Sequence, residues 1–301
     1  MDGVQKRDDG QAARWKGAGG RAWVDAQAVL DGVLKPLEDV LIEAAPVREG
    51  DRVLDVGCGT GGTTVAFARL LGPEGRCVGA DISEAMIDAA RARAEHEGST
   101  AGFVLADAQE YAFEPAAFDA VVSRFGVMFF DDSVRAFANL RRAVRDGGEL
   151  RFLVWRGIEE NPFMTTAERA AAPLLPGIPA RRPDEPGQFA LADPDRVRRI
   201  LEGSGWAGID IRPVDADLTL PEAELIGYFT RLGLLGQVLP GADEPTRARV
   251  VETVRAAFEP FVEGPLVRFT AACWLVGARA QGAPGGPVRG SGAEPRTDSR
   301  P

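Results

Sequence analysis

The sequence is poor in the side chains that most enzymes use for acid–base and metal chemistry. Its 301 residues include one histidine, His96, three cysteines, two tyrosines and three lysines (Lys6, Lys16 and Lys35). A Ser-His-Asp triad or a multi-histidine metal site would have to pass through His96. That residue closes a polar helical stretch just before Gly98, the pattern of a solvated helix end. Cys58, Cys77 and Cys273 are odd in number and scattered, which argues against a disulfide framework and a zinc cluster, so no metal is expected. With no lysine beyond Lys35, a Tyr-x-x-x-Lys dyad cannot exist in the rest of the chain. No apolar run approaches the roughly 18–20 residues of a membrane span. The opening MDGVQKRDDG lacks the apolar segment of a secretory signal. A soluble, cytoplasmic protein is expected.

Basic charge is also short. Asp and Glu number 45 against 35 Lys and Arg, for a net charge of −10. Such a chain repels phosphate backbones and anionic bilayers, so a small molecule is the expected partner rather than nucleic acid or membrane. The sequence carries no signal for an oligomeric state. Hydrophobic residues make up 45% of the chain, enough for a large core, and the length suits one α/β domain with a smaller addition.

Along the chain, residues 1–19 are Gly- and charge-rich and read as a flexible start to a domain spanning 20–280. Arg21 to Ala45 carries apolar residues at helical spacing, interrupted at Pro36. Strands and helices then alternate through a core over 50–156. The strands are Arg52–Val56, Cys77–Ala80, Phe103–Ala106, Ala120–Ser123 and Glu149–Trp155, and helices follow the first two and lie at Asp132–Val144. This alternation implies parallel βαβ units in a doubly wound sheet. Beyond Trp155 come a short helix near Pro162–Ala172, a Pro-rich loop, a helix at Asp195–Leu201 and an extended segment at Ile209–Leu220. Helices at Glu222–Val238 and Pro245–Val262 precede a final strand, Leu266–Val276. Helical cap segments are expected over 157–193 and 221–263. The Gly- and Pro-rich residues 281–301 cannot bury a core and read as a disordered tail.

The informative segment is VLDVGCGTGG, residues 53–62: a strand, a glycine turn and a helix start. Glycines permit close backbone approach, and a helix start attracts an anion. The spacing Gly57, Gly59, Gly62 with Asp81 downstream also satisfies the dinucleotide fingerprint, so an NAD(P)-dependent oxidoreductase stands as a competing reading. Charge separates the two. Asp55, Asp81 and Asp107 each lie at the carboxyl end of a strand, where open α/β sheets bind ligands. A pyrophosphate disfavours a carboxylate at Asp55. A ligand with an amine and a sulfonium, and no phosphate, favours it. S-Adenosylmethionine is such a ligand: its carboxylate can take N–H groups near Gly57 and Gly59, Asp55 can favour its amine side directly or through water, Asp81 can accept from both ribose hydroxyls, and Asp107 can accept from the adenine amine.

The ordered set VLDVGCGTGG, VGADIS, ADAQEY, FDAVVSRFGVMFF and LRRAVRDGGELRF resembles the successive motifs of class I S-adenosylmethionine-dependent methyltransferases. It is closest in style to their quinone-biosynthesis and small-molecule branch. The resemblance implies a Rossmann-like, seven-stranded, mostly parallel sheet with an antiparallel last strand and a helical cap. It also implies that S-adenosyl-L-methionine is held by Asp55, Gly57 and Gly59 at the methionine end, Asp81 at the ribose, and Asp107 with Ala108 at the adenine. Ile82 and Met86 would then flank the adenine, and Ser123 would lie beside the methionine portion. The implied activity is methyl transfer to a carbon or oxygen of a small, largely apolar metabolite. A non-methylating protein that keeps the cofactor, such as a cyclase on the same fold, shares every motif.

Methyl transfer needs alignment and water exclusion more than a covalent nucleophile. Asp131, Asp132 and Tyr228 are weak candidates for a base, and the Asp pair reads better as a helix cap; no catalytic residue is assigned. Phe125, Met128, Phe129 and Phe130 should build the acceptor pocket, with Arg124 available to steady an anionic acceptor. Trp15, Trp23, Phe163, Met164, Tyr228, Phe229 and Leu232 could supply a lid. There is no Asn-Pro-Pro-Tyr motif of the kind the family uses for amide and base nitrogens.

Overall fold

A computed structural model of the protein describes residues 11–178 and 185–281. The first ten residues, part of the Pro-rich loop and, apart from Gln281, the expected tail lie outside the described residues. Two departures appear at the start of the described chain. Residues expected to be loose form α1 (Gln11–Lys16), and the next helical segment divides into α2 (Ala18–Asp25) and α3 (Gln27–Ala44). α3 also runs unbroken through Pro36. Proline removes the N–H that would reach the Gly32 carbonyl, but Gly32 is exposed and water can replace that donor.

The strands are β1 (Arg52–Val56), β2 (Arg76–Asp81), β3 (Gly102–Leu105), β4 (Phe118–Arg124), β5 (Val144–Trp155), β6 (Trp206–Pro221), the two-residue β7 (Val262–Glu263) and β8 (Leu266–Ala280). They form one sheet in the order β3-β2-β1-β4-β5-β8-β6, with β7 paired to β8 off this path. β1 to β5 pair in parallel, β8 is antiparallel to β5, and β6 is antiparallel to β8. This is the expected seven-stranded, mostly parallel sheet with an antiparallel last strand, plus the short β7. Central β1 reads Val-Leu-Asp-Val because both of its faces are covered. Edge strand β6 instead alternates buried and exposed residues and tolerates Pro213, whose missing N–H costs least at an edge.

Helices α4 (Gly62–Leu71) and α5 (Glu84–His96) follow β1 and β2, and α6 (Ser133–Ala143) precedes β5. Asp132 caps α6, its carboxylate accepting from the Arg135 N–H at 3.0 Å. Asp193 and Asp243 cap α8 (Pro194–Gly203) and α11 (Glu244–Phe258) in the same way, each followed by a proline in the first turn. The expected single helix over 222–238 is instead α9 (Leu225–Arg231) and α10 (Gly233–Val238). Leu232 is extended there and Gly233 adopts φ +70°, a left-handed state that ends a helix.

With α7 (Phe163–Ala171), helices α9, α10 and α11 pack on one another as a cap. Their shared core is aromatic: Phe163 stacks on Phe269 of β8 at 4.8 Å and Phe229 on Phe258 at 4.2 Å. Asn161 seats α7. Its amide donates to the Ala272 carbonyl and accepts from the Ala272 N–H, both at 2.9 Å, imitating one more residue of strand pairing beyond the end of β5.

Candidate active site

Strand order reverses between β1 and β4, so their carboxyl ends diverge and leave a crevice at the point where doubly wound sheets bind ligands. A cavity of about 510 Å³ opens there. The glycine turn forms its floor. Gly57, Gly59 and Gly61 all have positive φ, and a Cβ on Gly57 would stand 2.4 Å from the Gly126 Cα, so the turns after β1 and β4 touch backbone to backbone. Ser123 joins them, its hydroxyl donating to the Val56 carbonyl (2.7 Å) and accepting from the Gly126 N–H (3.1 Å).

The N–H groups of the turn are largely committed within the protein. Gly57 and Cys58 donate to the Ala80 carbonyl, at 2.8 and 3.2 Å, and Gly61 donates to Cys58. Gly59 donates to Oδ2 of Asp81 at 2.9 Å, while the Asp81 Oδ1 accepts from the Ser83 N–H at 2.9 Å. These two bonds orient the Asp81 carboxylate and leave each oxygen with further acceptor capacity. Burial raises its pKa, against which the backbone bonds act. Asp107 is turned similarly by the Gln109 N–H (2.9 Å).

The walls combine the residues expected for both ligands. Gly57, Gly59, Asp81, Ile82, Met86, Asp107 and Ala108 line one end, and Arg124, Phe125, Met128 and Tyr228 also line the wall. Trp23, expected at the acceptor, instead lies beside the glycine turn, its Nε1 4.0 Å from where a Gly59 Cβ would be, because α2 packs on α5. Two expected cofactor residues are not on the wall. Strand alternation turns Asp55 toward α4, where it is buried and accepts from the Thr64 hydroxyl at 2.7 Å. Burial pushes its pKa up to about 6, with the Thr64 bond and the Arg124 charge opposing. Ser123 is wholly buried and spent on the backbone staple, so it does not face the cavity either. The turn N–H groups expected to receive a ligand carboxylate are, at Gly57, Cys58 and Gly59, already bonded.

Phe125 holds φ +65°, a strained state for an aromatic residue, and its ring lies parallel to that of Trp155 with centroids 4.2 Å apart. Trp15 of α1 packs edge-on against Trp23 (5.6 Å) and Phe129 (5.0 Å), bringing the N-terminal helices over the cavity. Tyr228 hangs from the cap, and burial pushes its phenol up to about 12. Asp31 of α3 and Trp155 of β5 also line the wall and were missed from sequence. Asp31 had one signal, an acid beside the buried pair Leu30 and Leu34 on the apolar stripe of α3. His96 is exposed at the end of α5, away from the cavity. Cys58, Cys77 and Cys273 are buried free thiols, and no cluster of three or more potential metal ligands occurs among the described residues.

Comparison with known proteins bears on the family and the fold. Residues 53–148 match the family described as a methyltransferase domain. The ubiquinone/menaquinone biosynthesis C-methyltransferase UbiE of Cupriavidus taiwanensis is 32% identical over 181 residues, covering 56% of this chain and 72% of that enzyme. The chain belongs to the class I S-adenosylmethionine-dependent methyltransferase family. It spans 62% of the length of the same-named enzyme from a Marinomonas strain, at 31% identity, and 66% of that from Teredinibacter turnerae, at 37%. Among solved structures, the YcgJ protein of Bacillus subtilis aligns with a TM-score of 0.55 at 16% identity, over 82% of this chain and 98% of that one. The [4+2]-cyclase SpnF aligns at 0.52 and 18% identity, over 87% and 95%. At such identities the two structures show a shared fold alone. Within this methyltransferase fold, no described helix is long and apolar enough to cross a membrane.

Proposed function

We propose that the protein transfers a methyl group from S-adenosylmethionine to a carbon or oxygen atom of a small, largely apolar acceptor. The observation that carries this reading is one continuous cavity with a polar, carboxylate-bearing end at the glycine turn and an aromatic end under the cap. The polar end fits an adenosyl ligand. Asp81 is oriented with acceptor capacity for two ribose hydroxyls, Asp107 stands beyond it for an adenine amine, and Ile82 and Met86 offer apolar faces for the base. Gly57 leaves no room for a side chain.

Bound there, the cofactor supplies a methyl group already activated on a sulfonium. The protein has to align the acceptor and keep water out, and alignment alone is worth about 7–11 kcal/mol. Phe125, held against Trp155, gives a rigid wall beside the glycine turn, Met128 lines the cavity too, and Trp23 covers the cofactor end next to Gly59 and Met86. Asp55 lies under the turn rather than on the wall, so its charge favours a cation above it only through space. Tyr228 keeps its proton at neutral pH and therefore serves as a hydrogen-bond donor to an acceptor oxygen, not as a base. Acceptors that ionise themselves, such as phenols and enolisable ketones, suit a pocket without a dedicated base.

The test is calorimetric titration with S-adenosylmethionine, S-adenosylhomocysteine, NAD and NADP, followed by transfer of labelled methyl to a panel of phenols and enolisable ketones. Binding of the two sulfur ligands, with label in a phenol or ketone, is the expected result. Asp81→Ala should weaken their binding by about 1.5–3 kcal/mol. Binding of the nicotinamides alone, or unchanged affinity in that variant, would overturn the reading.

A further inference from the structure

With Gly57, Cys58 and Gly59 already bonded, the amino-acid end of an adenosyl ligand gains from partners beyond those three N–H groups. Two side chains on the wall are placed to supply them. Arg124 ends β4 beside the glycine turn. Among the described residues it makes one hydrogen bond, from Nη1 to the Leu34 carbonyl of α3 at 3.2 Å, and it enters no ion pair. A guanidinium has five N–H donors, and Arg124 lines the cavity, so donors remain for a ligand there. The carboxylates of Glu38, Asp55 and Asp31 act on it through space without a direct hydrogen bond, which leaves those donors for an anion that reaches them.

Asp31 stands nearby, its charge felt by Arg124. It reaches the wall from α3, outside the 53–148 stretch that the family comparison matches. Its Oδ2 pairs with Arg93. Its Oδ1 lies 3.4 Å from where a Gly62 Cβ would be, at the first turn of α4. α4 carries no side-chain cap, and its start would ordinarily draw an anion. Here the Asp31–Arg93 ion pair occupies that neighbourhood, with a guanidinium nitrogen of Arg93 at 2.7 Å and a Glu38 carboxylate oxygen at 3.5 Å from the same point. With Oδ2 of Asp31 committed to Arg93, Oδ1 is the oxygen left to accept from an ammonium.

Resting on the donor reading above, we propose that Arg124 and Asp31 form a clamp for the zwitterionic end of the cofactor, Arg124 taking the α-carboxylate and Asp31 the α-ammonium. Arg124 is thereby assigned to the cofactor rather than to the acceptor. Asp31 becomes a binding residue that no motif marks.

The experiment titrates the full-length wild type, Arg124→Gln and Asp31→Asn with S-adenosylhomocysteine and with 5′-methylthioadenosine, which keeps the adenosine and the thioether but lacks both charged groups. Wild type should strongly prefer S-adenosylhomocysteine. Each variant should lose on the order of 10- to 100-fold in affinity for it while binding 5′-methylthioadenosine as wild type does. Arg124→Lys, which keeps the charge without the fork, should fall between. As an arm that needs no variant, decarboxylated S-adenosylhomocysteine should bind wild type more weakly than the parent compound. The clamp is overturned if the variants bind S-adenosylhomocysteine normally, or if they lose both ligands in parallel, which is what a merely structural role would produce. Wild type that binds neither ligand would instead sink the donor reading itself.

Discussion

The half of the sheet that carries the glycine turn and the half under the cap follow different rules. In the first, backbone geometry leaves almost no choice of residue: Gly57 meets Gly126 across a gap too small for a methyl group, and Ser123 locks the two turns together. In the second, an aromatic cluster of Phe163, Phe229, Phe258 and Phe269 fills space, and many apolar combinations of the same volume would serve. Function constrains the first half through specific atoms and the second through shape. The family match accordingly lies within the first, at 53–148.

The contrast can be broken at either end. The largest expected effect is on the cap: Phe258→Ala removes a fully buried ring stacked on Phe229 and should cost about 3–5 kcal/mol in urea unfolding. S-Adenosylhomocysteine affinity of the folded fraction should hold within a few-fold. If it collapses as well, the two halves are one cooperative unit and the contrast fails. Gly57→Ala, a far smaller chemical change, should cost about 3 kcal/mol from the contact and the left-handed backbone together, and should also abolish cofactor binding. Normal binding in that variant would remove the case for a geometric constraint.

Asp55→Asn sharpens the comparison through pH. The raised pKa of Asp55 means that folding favours its protonated form. Its contribution to stability is full below the unfolded value near 3.8 and is lost as pH rises through about 6. By linkage the loss is about 3 kcal/mol. Wild type should therefore lose stability relative to Asp55→Asn between pH 4 and pH 6, and parallel pH profiles of the melting temperature would contradict this. The smallest effect is expected at Asp132→Ala, where loss of the α6 cap should cost about 1 kcal/mol in the same unfolding assay and leave both ligands' binding unchanged. A loss of methyl transfer in that variant would restore Asp132 as a candidate base.

Much of the first half could be read from the chain because its signals are local. The β1–turn–α4 segment, the Asp107 carboxylate, the Ser83 bond to Asp81 and the Asp132 cap each depend on residues within a few positions of one another; only the Gly59 bond to Asp81 reaches across to the neighbouring strand's turn. The structure departs from the sequence reading where long-range packing decided the outcome. Asp55 was expected to favour the ligand amine directly or through water; the pleat of β1 turns it toward α4 and Thr64, off the cavity wall. Ser123 was expected at the methionine portion and is consumed in holding β4 to β1. The cap helix breaks at Leu232 and Gly233, where the apolar spacing alone ran on without interruption.

By itself, the sequence determined the βα order, the glycine turn and the residue types at the strand ends, because strand and helix periodicities and left-handed glycine positions are properties of short segments. Only the tertiary structure decided which of those side chains reach the cavity. It turned Asp55 away, brought Asp31 in from a helix that precedes β1, and left Arg124 with donors unspent. Such outcomes depend on which faces of separate elements meet across the sheet, and that is settled by packing between residues far apart in the chain: Arg124 and Leu34, ninety positions apart in sequence, share a hydrogen bond.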